Sequence, residues 1–217
     1  MCTNFTPTKK ADWVQDAFGI KMAVGYPDES YPGFASPIVV KSHQTNRVAC
    51  GLAHFGLIPA WAKDNKIARH TYNARSETAF TKPSFRTAWR QRQFGLVLCD
   101  NFYEPSYESG KAVRWKIERK DLEPFGIACL WDRWTDPATG ELVVSFSMLT
   151  VNADEHPVMK QFHKPGDEKR TPVLVPNAQF ERWLGADDAA AHAMMTWQGM
   201  PDLVASPSRR IDRISNP

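Results

Sequence analysis

What most limits this chain's fold is a succession of short strand-like segments with no regular helix between them. Ile38 to Lys41, Arg47 to Leu57, Phe94 to Cys99, Val113 to Glu118, Phe125 to Leu130, Leu142 to Val151 and Thr171 to Val175 all have strand character. In the second, Val48, Cys50 and Leu52 alternate with small or polar neighbours. The third, FGLVLC, is apolar throughout and suits a buried strand. Pro59 stops one segment because it cannot join a ladder, and Asp136-Pro137-Ala138-Thr139-Gly140 is a turn between two others. Helices enter only between strands. Thr81-Lys82-Pro83-Ser84 has the character of a helix start, and Phe85, Ala88 and Trp89 then recur at i, i+3, i+4 as a buried face, leaving Arg86, Arg90 and Arg92 off it. Asn177 is placed to cap a helix through Phe180, Trp183 and Leu184, and residues 22–37 read as a long surface loop. The strands and helices show no regular βαβ alternation. The pattern predicts an α+β fold, one domain over residues 1–217, with a largely antiparallel, barrel-like sheet and peripheral helices.

Composition narrows the functional classes. No apolar run approaches eighteen residues and the N-terminus has no secretory signal, so a cytoplasmic location with reduced thiols is expected. Cys2, Cys50, Cys99 and Cys129 show no CxxC spacing, and neither metal nor other cofactor is expected. The net charge of +3 allows an anionic partner without demanding one, and eight tryptophans provide aromatic surface for a core or for stacking on bases.

Position 2 carries the most distinctive chemistry. Removal of Met1 would leave Cys2 with two nucleophiles on adjacent carbons, a thiol with an ordinary pKa of about 8.5 and an α-amine of about 7.7–8.0. Such a pair condenses with an aldehyde to an imine, which the thiol closes to a thiazolidine. Three other stretches are richer in polar groups than strands or loops require. Thr71 to Thr78 holds Asn73 and Arg75, which share a side if the segment is extended, and arginine suits bidentate phosphate recognition. Cys99 to Pro105 holds Glu104 among Phe102, Tyr103 and Pro105, where desolvation would raise its pKa toward a useful acid–base range. Gln161 to Pro172 holds His163, which titrates near neutrality. Taken singly, these residues equally suit a turn, a surface ion pair, a strand end and an exposed histidine.

Taken in order, Met1-Cys2, GLIPAWAKD (56–64), YNARSET (72–78), KPSFR (82–86), NFYEP (101–105), LWDRWTD (130–136) and a late histidine before Pro-Val-Leu resemble the SRAP family of abasic-site-processing proteins. The resemblance runs from Cys2 to about Pro176. It implies a twisted β-barrel-like core and a monomer that binds single-stranded DNA at abasic sites. It also implies a covalent thiazolidine between Cys2 and the ring-opened sugar, with associated lyase chemistry. Asn73 would position the N-terminus and the sugar, Glu104 would shuttle protons, and His163 would assist ring opening. Trp61 would stack on or wedge beside a base, and Arg75 and Arg86 would contact phosphates, with Arg170, inside the lengthened HKPGDEKRTP stretch, a further DNA contact. The chain departs from the family's usual Met-Cys-Gly-Arg start with Thr3 and Asn4, and has Pro105 where a tryptophan usually follows the glutamate. Two alternatives belong to other classes: an N-terminal-nucleophile cysteine peptidase built from Cys2, His163 and Glu104, and a non-catalytic single-strand or modified-base binding module using Trp61 and the arginines.

Overall fold

The computed structural model describes residues 2–208 other than His43. In chain order these form β1 (Phe5–Pro7), α1 (Ala11–Phe18), β2 (Ala35–Lys41), β3 (Val48–Phe55), β4 (Asn73–Arg75), α2 (Arg86–Arg90), β5 (Phe94–Ser106), β6 (Val113–Arg119), β7 (Phe125–Thr135), β8 (Leu142–Asn152), β9 (Arg170–Pro172), β10 (Leu174–Val175), α3 (Phe180–Leu184), α4 (Asp188–Met194) and β11 (Leu203–Pro207). Strands β2, β3, β8, β7 and β5 close on one another in that order, β5 pairing with both β7 and β2. All of these pairs are antiparallel except β3–β8, in which His54 lies opposite Ser145. The α+β fold with a largely antiparallel barrel is therefore as the sequence predicts.

The first half of β5 and most of β7 are buried on both faces, which is why FGLVLC shows no alternation. On β5, Leu96 and Leu98 join a core with Trp89, Phe180 and Trp183 from the helices, while Val97 and Cys99 join a second core with Phe5, Phe55, Phe102 and Phe146. β7 divides likewise, Ala128 and Leu130 against Ile127 and Cys129. The helices sit hard on their face. A Cβ added at Gly126 would stand 2.9 Å from the Phe180 ring, so glycine lets α3 approach β7 this closely. Trp183 is buried and donates its indole N–H to the carbonyl of Gly95 at 2.8 Å.

β5 changes partners halfway. Its first part pairs with β7 through Cys99↔Phe125, and its second pairs with β6 from Asn101↔Glu118 onward. Along β1 the register slips by one residue, Thr6↔Asn101 being followed by Pro7↔Cys99, which leaves Asp100 as the extra residue of a bulge. Before it, odd-numbered residues face the second core; after it, Phe102 does. With a side-chain period of two, Glu104 follows Phe102 onto that face.

Some local expectations fail for identifiable reasons. β2 begins at Ala35, inside the stretch expected to be loop, and includes Pro37. β5 pairs only with Ile38–Val40, so its ladder asks for no N–H from Pro37. Leu52 is 37% exposed although it shares a face with Val48 and Cys50, because the helical core covers only those two; farther along, Ala53 and Phe55 bury the other face. Helix α1 was not anticipated: its N-cap, Lys10, makes no side-chain capping bond, and Gly19 ends it in the left-handed conformation. Thr81 to Ser84 form turns, with α2 starting only at Arg86. Asn177 opens a 3-10 turn and accepts from Arg119 instead of capping a helix.

Candidate functional site

The N-terminal arm lies along the second half of β5, Phe5 opposite Phe102, and this brings Cys2 toward Glu104. Cys2 is completely buried. Its thiol points at the carbonyl of Asn4 (3.6 Å), and its own carbonyl accepts a 2.7 Å bond from Asn73 Nδ2. Parallel pairing of β4 with β8, Asn73 opposite Met148 and Arg75 opposite Thr150, holds Asn73 there and turns Arg75 outward. Asn73 Oδ1 is buried and accepts no hydrogen bond from a described residue.

Glu104 is buried at 2% exposure in mid-strand, opposite Trp115, so it does not mark a return to solvent. Its Oε2 faces His163 Nε2 at 3.1 Å. His163 occupies the left-handed region (φ 65°), costly for a residue with a Cβ, and is held there by donating its N–H to Pro105 O (3.0 Å) beside the Phe162–Ser106 bridge. The histidine loop is thus fastened to the strand that carries Glu104. Burial pushes the Cys2 thiol far above its ordinary pKa, and the negative charge of Glu104 adds to the rise. At neutral pH Cys2 is a thiol, not a thiolate.

Cys2, Asn73, Glu104 and His163, more than a hundred residues apart at the extremes, therefore meet in one place. The expected DNA contacts divide. Trp61 is 56% exposed, and its indole is tied to Pro83 O (3.3 Å) in the turn before exposed Arg86. Arg75 is exposed but paired with Glu168 (2.7 Å). Arg170 differs from expectation. It is 2% exposed, with its guanidinium donating to Glu77, Glu168 and Thr150, so it braces the loop between His163 and β9 and presents no surface to a phosphate. Missed by the sequence reading is a group around Asn4: Arg114, Glu29, Tyr31 and Tyr103. Asn4, Arg114, Tyr31 and Tyr103 line a cavity of about 400 Å³ that opens on Glu104, and Glu29 bonds to Arg114 and Tyr31. The group's parts come from four separate segments, so only strand register reveals them. No group of three or more potential metal ligands forms among the described residues, and no helix is long and apolar enough to cross a membrane.

Fold and site together define a barrel protein built around a buried N-terminal cysteine. The family described as SOS response associated peptidase (SRAP) matches residues 1–208, and the chain belongs to that family. It is 30% identical over 190 residues to the abasic site processing protein YoqW of Bacillus subtilis, covering 85% of this chain and 80% of that protein. It is 26% identical over 151 residues to the abasic site processing protein HMCES of Gallus gallus, covering 60% of this chain and 43% of that one. A crystal structure of a Bordetella bronchiseptica protein superposes with a TM-score of 0.87 at 32% identity, covering 96% of this chain and all of the other. A Bacteroides thetaiotaomicron protein shares the fold at 24% identity, with a TM-score of 0.76 over 96% of this chain and 92% of that one.

Proposed function

We propose that this chain processes abasic sites in single-stranded DNA by forming a thiazolidine between Cys2, freed of Met1, and the ring-opened sugar. The observation that carries the reading is the enclosure of Cys2 by an amide donor, Asn73, and a buried carboxylate–imidazole pair, Glu104 and His163. The α-amine attacks the C1′ aldehyde first. Water leaves to form the imine. The thiol then adds to the imine carbon, and as the C–S bond closes the ring its proton passes by way of the Glu104–His163 pair to the imine nitrogen, which becomes the ring N–H. Asn73 keeps the Cys2 carbonyl in place while its buried Oδ1 offers an acceptor to the opened sugar. Trp61, with Arg75 and Arg86, supplies an exposed aromatic and two cations for a flanking base and phosphates, stacking being worth about 1–3 kcal/mol per base.

The relatives named abasic site processing proteins support this reading. Among the described residues the Cys2 thiol donates to Asn4 and His163 faces Glu104, so the thiol–imidazole pair of a cysteine peptidase is not among their hydrogen bonds. The test is a heat-stable adduct with single-stranded DNA containing an abasic site, read on a denaturing gel. Wild type forms it and Cys2→Ala does not; equal crosslinking by Cys2→Ala would refute the mechanism.

A further inference from the structure

We propose that Arg114, acting with Asn4 and Glu29, is a positioning residue that clamps the N-terminal arm and so sets the place of Cys2; the role of Cys2 itself rests on the function proposed above. Asn4 is 5% exposed and is the arm's anchor. Its amide donates to Ser30 O (3.1 Å), its Oδ1 accepts from Arg114 (2.5 Å), and its backbone carbonyl accepts both the Tyr103 N–H (2.9 Å) and the Cys2 thiol. Arg114 also binds Glu29 at 2.9 Å, with side-chain exposures of 18% and 11%, and lies 3.4 Å over the Tyr103 ring. Glu29 is fixed in turn by Tyr31 Oη at 2.7 Å. A guanidinium so enclosed loses little to screening, unlike a surface pair.

Its surroundings also distinguish Arg114 from a phosphate ligand. The Arg114 charge is already balanced by Glu29, and Glu104 adds a further carboxylate to the same cavity. An incoming phosphate would meet no net positive charge there. What Arg114 does reach is Asn4, two residues from the nucleophile.

The test uses the full chain with Met1 removed, carrying Arg114→Lys or Arg114→Met. Lysine keeps the charge but cannot span Asn4, Glu29 and the Tyr103 face together. Two measurements are read. At saturating protein the crosslinking rate on abasic single strands falls tenfold or more in either variant, while the affinity for undamaged single strands and its salt dependence stay as in wild type. Without DNA, alkylation of Cys2 by iodoacetamide, followed by peptide mass with buried Cys129 as internal control, speeds up as the arm loosens. Adding Glu29→Gln to Arg114→Met brings no further loss, as for residues acting as one unit. Unchanged alkylation in both variants overturns the clamp. So does a fall in the salt slope of about 0.7, which is the signature of a lost phosphate contact. A wild type that makes no DNA adduct sinks the proposed function instead, and the alkylation result still decides the clamp.

Discussion

The two faces of the central strands β5 and β7 are both buried, yet they are closed by different means. One is covered by helices through large apolar side chains, Trp89, Phe180 and Trp183 among them. The other is closed at its end by an N-terminal arm and a histidine loop, held largely by polar bonds: Asn73 to Cys2, Asn4 to Arg114, His163 to Glu104. Dispersion and area burial hold the first face and are insensitive to orientation. The second has an apolar core of its own, with Phe5, Phe55, Phe102 and Phe146, but directional bonds fasten its end, and they place reactive atoms. Stability and chemistry are thereby assigned to opposite sides of the same strands.

Substitutions that disturb one side and spare the other test that division. The largest effect is expected at Glu104: Glu104→Gln lowers the crosslinking rate by about 10²–10⁴, the range for a lost acid–base group, with little change in Tm. On the helical side, Trp183→Ala costs about 3–5 kcal/mol of stability, seen in urea unfolding, yet leaves the crosslinking rate of the folded fraction unchanged. Gly126→Ala presses a methyl against Phe180 and costs about 1–3 kcal/mol, again without a rate change. Acid separates the faces by another route. Burial alone would raise the pKa of Glu29, but hydrogen bonds from Arg114, Tyr31 and Asn4 outweigh it and hold the carboxyl below its usual range. Its contribution is therefore complete above the ordinary glutamate value and is lost as pH falls through the depressed one. Amide exchange in the arm should rise on acidification before that in α3. The smallest effect concerns Arg75, whose exposed pairing with Glu168 competes with solvent anions. Glu168→Gln strengthens binding of undamaged single strands by a few-fold at low salt, in line with the ~0.2–1 kcal/mol of an exposed pair. A loss of affinity would remove Arg75 from the proposed DNA surface.

Strand segments and the apolar triads Phe85–Ala88–Trp89 and Phe180–Trp183–Leu184 were legible because burial imposes a period on neighbouring residues. Asn73, Glu104 and His163 were legible only as members of a family order, since nothing local separates Glu104 in mid-strand from a glutamate at a strand end. Arg170 shows the converse. Its charge suggested a DNA contact, but Glu77, far away in sequence, and Glu168 neutralise it in the interior. The Arg114 clamp joins residues 85 and 110 positions apart, and a bulge at Asp100 leaves no mark in composition. Pairings of that kind exist only once register is set.

The extra residue in β5 also imposes a counting rule on the chain's history. Between Cys99 and Glu104, losing or gaining one residue exchanges the strand's two sides, taking the carboxylate off the side it shares with Phe102. A change of two keeps the sides. Length variants in this stretch among working relatives should therefore come in even steps, or carry a second slip nearby that restores the phase. Aligning such sequences by residue type alone would misplace the glutamate, whereas aligning them by phase would not.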